Sequence, residues 1–111
     1  MTVTVQNIIP ARFIPASQTN EYTSSDVKTI IDKCVVTNIS ASTATFSINL
    51  DTSGDPAGDS NTFVKTKSLA PGETYSCPEV IGHVLESGDF ISIVASAINS
   101  IVISATGRLI S

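Results

Sequence analysis

The sequence predicts an all-β protein, a jelly roll or β-sandwich of seven or eight antiparallel strands. The β-branched residues dominate its apolar set, because isoleucine and valine together number 24 whereas leucine numbers only 4. Such side chains lose rotamer freedom in a helix and pack well on a pleated surface. Short apolar runs also recur at regular spacing between segments rich in glycine, proline, serine and aspartate. That spacing is typical of two facing sheets.

The first element is a strand over residues 2–9, where threonine and valine alternate. Pro10 and Pro15 follow, and proline cannot donate to a sheet ladder, so any pairing between them is expected to be short or at an edge. Residues 16–26 are polar and predict a loop or extended arm. We therefore expect an N-terminal strand and arm over residues 1–26, attached to a sandwich over 27–111, in one globular domain.

Residues 27–50 are rich in β-branched side chains on both sides of a serine-rich turn, and they predict a β-hairpin. Asp32 and Lys33 interrupt the first half, where we expect a bulge or bend. Residues 51–61 are dense in glycine, aspartate and serine, and turn chemistry alone predicts a surface loop there.

The second half of the chain continues the alternation of strands and turns. The sequence APGE at 70–73 has proline and glycine at its centre, which favours a type II turn. Residues 79–86 are the one place where a short helical turn is expected, at most one. Gly82 argues against anything longer. The remaining strands are predicted at 62–69, 74–77, 89–97 and 100–111.

The charge pattern excludes several classes of partner. The net charge is −4, and only six lysine and arginine residues are present. Nucleic-acid binding depends mainly on neutralising phosphates, and anionic membranes also attract basic segments, so neither partner is expected. No stretch approaches the ~20 apolar residues that span a bilayer, and the first residues do not form a secretory signal. We expect synthesis in a cytosol.

No set of residues predicts catalysis. His83 is the only histidine, so a triad or a histidine-based metal site is difficult to build. Glu73, Glu79 and Glu86 lie at or near turns and are expected to be solvated rather than paired in a cleft. We predict no enzyme activity, no cofactor and no catalytic residue.

The sequence gives only weak signals for two possible metal sites. Asp51, Asp55 and Asp59 share a glycine-rich loop and suggest calcium, but the spacing is not that of an EF-hand and a terminal glutamate is missing. Cys34 and Cys77 are too few for structural zinc. We expect no metal, and we expect the cysteines to be free buried thiols, with a disulfide as the alternative.

Two kinds of binding surface remain open. Phe13, Tyr22 and Tyr75 could form an aromatic platform for sugars, although core packing is the ordinary role of such residues. The polar arm over residues 10–26 could add a strand to a neighbour's sheet edge, or it could be a loosely packed terminus.

From Cys34 to Ser111 the chain resembles a known family. The runs are VVTNISASTATFSINL, GDSNTFVKTKSLAPGETYSCPEVIGHVLESGDFISIVASA and ISATGRLIS, of which LAPGETY and GHVLESGD are the most specific. They are similar to the capsid decoration proteins, called staple or cement proteins, of epsilon-fifteen-like short-tailed bacteriophages.

The resemblance implies a jelly-roll homodimer that binds the major capsid protein on the outer surface of the virion, after synthesis in the host bacterial cytoplasm. Many weak contacts to several subunits would then stabilise the shell. Two other readings stay open. One is an attachment module of the phage neck, tail or baseplate, and the other is a carbohydrate-binding β-sandwich.

Overall fold

The computed structural model describes residues 1–111, which form nine strands and one turn of 3₁₀ helix at Asp59–Asn61. The bounds of most strands follow the apolar runs closely. In chain order the strands are β1 (Val3–Phe13), β2 (Thr19–Thr23), β3 (Lys28–Asn38), β4 (Ala44–Asp51), β5 (Thr62–Leu69), β6 (Thr74–Ser76), β7 (Val84–Leu85), β8 (Phe90–Ala95) and β9 (Ile101–Ile110).

The strands form two antiparallel sheets. Sheet A has the order β1–β9–β3–β6, with β7 also pairing with β3, and sheet B has the order β2–β8–β4–β5. The antiparallel pairs β1 with β9, β2 with β8, β3 with β6 and β4 with β5 are nested inside one another along the chain, which is the winding of a jelly roll. The predicted fold class is confirmed. The two-residue β7 raises the strand count to nine.

The core lies between the facing sheets and contains 20 buried apolar residues. Alternate side chains of each strand point inward, as the period of two requires. Ile31 and Ile103 of sheet A face Ile48 and Ile93 of sheet B, and Phe46 is the largest fully buried side chain. Two facing sheets thus bury the isoleucine-rich faces that one sheet would leave in water.

Pairs of side chains join the edges of the two sheets on both sides of the sandwich. On one side, Nη1 of Arg12 on β1 lies 3.0 Å from Oε1 of Glu21 on β2. On the other side, Nζ of Lys67 on β5 lies 4.8 Å from the ring centre of Tyr75 on β6. These contacts join the two sheets at their margins.

The prediction of a hairpin over residues 27–50 was wrong. Strands β3 and β4 belong to different sheets, so the segment between them crosses from sheet A to sheet B. Asn38, which is fully buried, holds this crossing. Its Nδ2 donates to the carbonyl oxygens of Ser42 and Leu69, each at 2.9 Å, and its Oδ1 accepts from the backbone N–H and the hydroxyl of Ser40.

The prediction of a loop or arm over residues 16–26 was wrong in part. Residues 19–23 form β2, which pairs with β8 at the edge of sheet B. Its polar side chains gave no strand signal because an edge strand has little apolar surface to bury. Strand β1 also continues past Pro10 to Phe13, with bulges before and after Ile9. Proline is tolerated there because β1 is an edge strand.

Three turn predictions can be compared with the structure. The bulge at Asp32 and Lys33 is confirmed by a register shift between Ile31 and Lys33. The turn at 70–73 is confirmed, since Gly72 has φ +79° and the N–H of Glu73 donates to the oxygen of Ala70 at 3.0 Å. Near 79–86, where at most one short helical turn was expected, there is no helix. Hydrogen-bonded turns and β7 occupy that segment.

Replacing Asn38 with alanine should lower the free energy of unfolding by roughly 2–4 kcal/mol, because the carbonyls of Ser42 and Leu69 and the N–H of Ser40 lose their partner. Urea unfolding followed by circular dichroism measures the loss. Asn20→Ala is the matched control, since Asn20 is exposed and its amide donates only to Thr23. Equal effects of the two substitutions would contradict this role for Asn38.

Replacing Gly107 with alanine should destabilise the protein by roughly 1–3 kcal/mol through overpacking. A Cβ at Gly107 would lie 2.5 Å from the carbonyl oxygen of Ile30, which is backbone and cannot swing away. Gly58→Ala is the matched control, because no atom lies within 4 Å of a Cβ built there. Thermal melting of the two variants should separate them; a Gly107→Ala protein as stable as Gly58→Ala would refute the close approach.

Candidate functional site

An apolar row crosses the outer face of sheet A near the start of β1. We call it the apolar face and define it by Val3, Val5, Ile30, Val84 and Ile110. The register places Val3 beside Ile110, and it places Val5 and Ile30 on either side of Arg108, with Val84 next to Ile30. Val5 is 77% exposed, Val3 51% and Val84 47%. Three exposed valines on one sheet face form a patch, whereas isolated exposed apolar residues are ordinary.

Two ion pairs lie on this face or at its rim, whereas the exposed Lys33, opposite Thr106 on the same side of the sheet, forms no ion pair. Nε of Arg108 donates to both carboxylate oxygens of Asp32, at 3.0 and 3.1 Å, which also raises the pKa of Arg108. At the rim, Nζ of Lys28 lies 3.8 Å from Oε1 of Glu86. Another protein could cover Arg108 and Asp32 together without leaving either charge unpaired.

Strand β1 also presents a free edge. It is 11 residues long, pairs only with β9, and its other side has no strand beside it. The stretch Val3–Gln6 keeps a regular register before the first bulge, and residues 2–9 carry no charge. Unpaired N–H and C=O groups on such an edge are a template for pairing with a further strand.

The other edges are less suited to pairing. Strand β2 has five residues, and β6 and β7 have three and two. Strand β5 carries Lys65 and Lys67 and is bent by a bulge at Thr66, whose φ is +48°. Charges, bulges and short length are the usual ways in which proteins block an edge. The first half of β1 therefore stands out as the open edge of this molecule.

Sheet B presents a different outer face, with polar side chains under the loop 52–61. Nε2 of Gln18 donates to Ser92 Oγ at 2.8 Å and lies 3.4 Å from Asn49 Oδ1. Nδ2 of Asn49 in turn donates to the carbonyl of Gly58 and to the side-chain oxygens of Asn61 and Thr62. These bonds hold the loop against the sheet.

A shallow cavity of about 300 Å³ opens beside this polar cluster, and its lining includes Gln18, Ser47, Asn49 and Lys65. Most of its polar atoms are already used. The amide of Asn49 holds the loop, Ser47 accepts the N–H of Thr66, and Lys65 lies 3.4 Å from Asp59. A ligand would have to displace these internal partners, so the cavity is poorly prepared for binding.

Asp51 is a buried carboxyl group in this region that lacks a full set of hydrogen-bond partners. Its side chain is 1% exposed, its Oδ2 accepts from Ser92 at 3.0 Å, and its Oδ1 has no hydrogen-bond partner. Burial raises the pKa of Asp51, the hydrogen bond from Ser92 partly opposes this, and the charge of Asp55 raises the pKa further. The folded protein therefore disfavours the charged form of the Asp51 side chain, which lies under the loop.

The three aspartates considered for calcium are not brought together. Asp55 lies close enough to Asp51 to raise its pKa, but Asp59 is 97% exposed and pairs with Lys65. No group of three acidic, histidine or cysteine side chains is placed to hold a metal ion. The even spacing of the aspartates in sequence is lost because the loop turns at Gly54 and again before the 3₁₀ turn.

The glutamates and the histidine each have a separate structural contact. Glu73 accepts the N–H of Ala70 and closes the turn before β6, and Glu86 pairs with Lys28. Glu79 accepts the hydroxyl of Tyr75 at 2.6 Å, which raises the pKa of that tyrosine to about 12. The ring of His83 packs edge-on against Phe63, with centroids 4.6 Å apart.

The three aromatic residues considered for sugar binding lie apart. Tyr22 packs against the core, and its hydroxyl bonds to Thr29 at 2.8 Å. Tyr75 is half-buried beneath Lys67 on the opposite margin of the sandwich. Phe13 is 42% exposed at the far end of β1. No shared platform results. Composition could not reveal this, because it does not say to which sheet or edge an aromatic residue belongs.

Sequence reasoning missed the apolar face. The alternation of threonine and valine in residues 2–5 signals a two-faced strand, but it does not say whether the valines point to the core or to solvent. Register decides that question here. The bulge between Gln6 and Ile9 lets Ile8 and Ile9 enter the core while Val3 and Val5 stay outside.

No family model matches the chain, and no curated protein matches it. A solved structure described by the words "Bacillus endospore appendages form a novel family of disulfide-linked pili" matches over 99% of this chain and 88% of that chain, with a TM-score of 0.52 and 17% sequence identity. At that identity the match establishes a shared fold and nothing further. No helix here is long and apolar enough to cross a membrane.

Replacing Asp51 with asparagine should remove a pH-dependent part of the stability. Because the folded-state pKa is raised above the ordinary value of 3.8, the folded protein binds this proton more tightly than the unfolded chain. Asp51 thus contributes stability fully below that ordinary pKa and loses it as pH rises through the folded pKa. Urea unfolding at several pH values should show that wild type gains on Asp51→Asn between pH 7 and pH 3.

The control for this titration is Asp59→Asn, which removes one charge from a side chain that is 97% exposed. Its difference from wild type should vary less with pH than that of Asp51→Asn. A constant difference between wild type and Asp51→Asn over the whole range would show that Asp51 is not perturbed.

Proposed function

We propose that this protein is a non-enzymatic structural protein that acts by binding other protein subunits, as a decoration protein on the outside of a phage capsid. The observation that carries the proposal is the apolar face of sheet A, which adjoins the open edge of β1. Buried apolar area and complementary backbone groups are what protein–protein contacts use. The resemblance of residues 34–111 to capsid decoration proteins supplies the specific partner, the major capsid protein.

The chemistry of the face suits a protein partner rather than a charged polymer. Arg108 is already bound to Asp32 and Lys28 to Glu86, so few cations remain there to attract phosphates. A decoration protein also needs only modest affinity for each site. One molecule that bridges several capsid subunits gains effective concentration, and it stabilises the shell because it binds the assembled form.

We assign the open β1 edge to a second copy of the chain. Two such edges related by a twofold axis pair antiparallel, and the same surface then serves both partners. The uncharged stretch Val3–Gln6 can pair in this way without like charges meeting across the axis. The expected homodimer joins two copies of sheet A into one continuous sheet and sets two apolar faces side by side.

The alternatives have less support. A carbohydrate-binding module would need a site with free polar groups or a shared aromatic surface. In the polar cluster of sheet B the amide of Asn49 is already hydrogen-bonded to the loop, and the aromatic residues lie apart. A neck, tail or baseplate module would use the same surfaces, and copy number distinguishes it. Decoration requires hundreds of copies on an icosahedral lattice, whereas a tail part requires a dozen or fewer.

A covalent fibre like the one that the structural match is described as forming is also less supported. Linking subunits by disulfides requires cysteines that reach a neighbouring subunit. Cys34 and Cys77 are 4% and 0% exposed, and both lie inside the sandwich. The shared fold therefore does not imply a shared disulfide linkage between subunits, because the folded chain buries both of its thiols.

Replacing Val5 with glutamate should weaken binding to phage heads that lack the protein by at least about tenfold, or 1.4 kcal/mol, because a charge would be buried in the contact. Ile98→Glu is the matched control. Ile98 is 68% exposed, but it lies in the turn between β8 and β9, at the opposite end of β9 from Val5. Cosedimentation of purified protein with the heads measures both.

Three outcomes decide the matter. Wild type and Ile98→Glu should bind at a fixed copy number per head while Val5→Glu does not. Equal binding by all three proteins would remove the apolar face from the contact. No binding by wild type to any phage particle would overturn capsid decoration itself.

A further inference from the structure

Cys34 and Cys77 face each other across two paired strands. The register of β3 and β6 matches Val35 with Ser76, so the next pair along the ladder is Cys34 with Cys77. The N–H of Cys77 donates to the carbonyl of Cys34 at 3.0 Å, which places the two residues directly opposite. Opposed residues in an antiparallel pair have Cα atoms roughly 4.5–5.5 Å apart, within the range of disulfides.

The two side chains also point the same way. Both enter the core, where Cys34 is 4% exposed and Cys77 is 0% exposed, and both are free thiols. The contact between them is the largest influence on the pKa of each thiol, lowering the pKa of Cys34 and raising that of Cys77. One of the two thiols must lose its proton before it can attack an oxidant, and the other then lies within reach of its sulfur.

The position of β6 gives an oxidant a way in. Strand β6 has three residues, pairs only with β3, and lies at the margin of sheet A. Pro78 follows Cys77 and cannot extend the ladder. A short edge strand of this kind opens locally at a lower free energy than the whole domain. Local opening of β6 and the adjoining Cys77 would expose both sulfurs, which otherwise belong to the buried core.

We propose that Cys34 and Cys77 are a disulfide-forming pair, which closes within the folded chain when the protein meets a thiol oxidant such as glutathione disulfide. The thiolate of one cysteine attacks one sulfur of glutathione disulfide, forms a mixed disulfide and releases one glutathione thiolate. The thiol of the other cysteine loses its proton to water and attacks the protein sulfur of the mixed disulfide, which releases the second glutathione thiolate. The two protein thiols lose two electrons and two protons. Glutathione disulfide takes up these electrons and protons and becomes two molecules of glutathione.

The bond would fix β6 to β3 and close a loop that contains β4, β5 and the segment 52–61. A crosslink stabilises mainly by restricting the unfolded chain, and the effect grows with the length of the loop. A protein made in a reducing cytosol would thus become more stable after release into an oxidising medium. This inference does not depend on the proposed function, since both cysteines lie away from the apolar face.

The test uses the full chain, reduced with dithiothreitol, freed of reductant and then incubated with glutathione disulfide under native conditions. We expect an intact mass lower by two hydrogen atoms, no thiol available to maleimide after unfolding, and a peptide map that joins Cys34 to Cys77. The melting temperature should rise by at least about 5 °C on oxidation. The variant Cys34→Ala/Cys77→Ala should show no shift with the same oxidant.

Other outcomes would overturn the proposal. Two free thiols after prolonged incubation would mean that the pair does not close. Stable glutathione adducts, or disulfides between separate chains, would mean that the sulfurs react but do not reach each other. A correct crosslink without a rise in melting temperature would remove the stabilising role. The wild-type mass and peptide map decide these points even if the double variant folds poorly.

Discussion

The structure depends on one constraint, which is that the chain must cross repeatedly between two sheets to bury a core of isoleucine and valine. Six of the eight connections between successive strands run from one sheet to the other. Each crossing takes backbone N–H and C=O groups out of a ladder, and buried groups of this kind need other partners. Asn38 supplies them between β3 and β4, and Ser24 does so between β2 and β3 by donating to the oxygen of Val27.

These crossings also determine which surfaces of the sheets remain exposed. Pairs such as Arg12 with Glu21 and Lys67 with Tyr75 join the two sheets at both margins of the sandwich. Sheet B uses its outer face to hold the loop 52–61. The outer face of sheet A has no such cover, so its valines and the first half of β1 stay exposed. The exposure of these valines is therefore a consequence of how the strands are wound.

Part of the site lay within reach of the sequence and part did not. The alternation in residues 2–9 predicted a strand, and the glycine of APGE predicted the turn that Gly72 makes with its positive φ. Nothing local indicated that Val3 and Val5 face solvent, since a one-residue bulge reverses that choice. The cysteines show the same division. Burial of two thiols is predictable from residue type, but their alignment across β3 and β6 follows from long-range pairing.

The sequence by itself determined the fold class and the bounds of most strands. Those properties follow from side-chain shape and from the period of two, both of which act between near neighbours. Only the tertiary structure decided which strands pair. It separated β3 from β4, brought the polar residues 19–23 into sheet B and placed Cys34 opposite Cys77. The reason is physical. The pairing of strands is selected by burial of the whole core, and the residues of one short segment do not determine which sheet will lie against it.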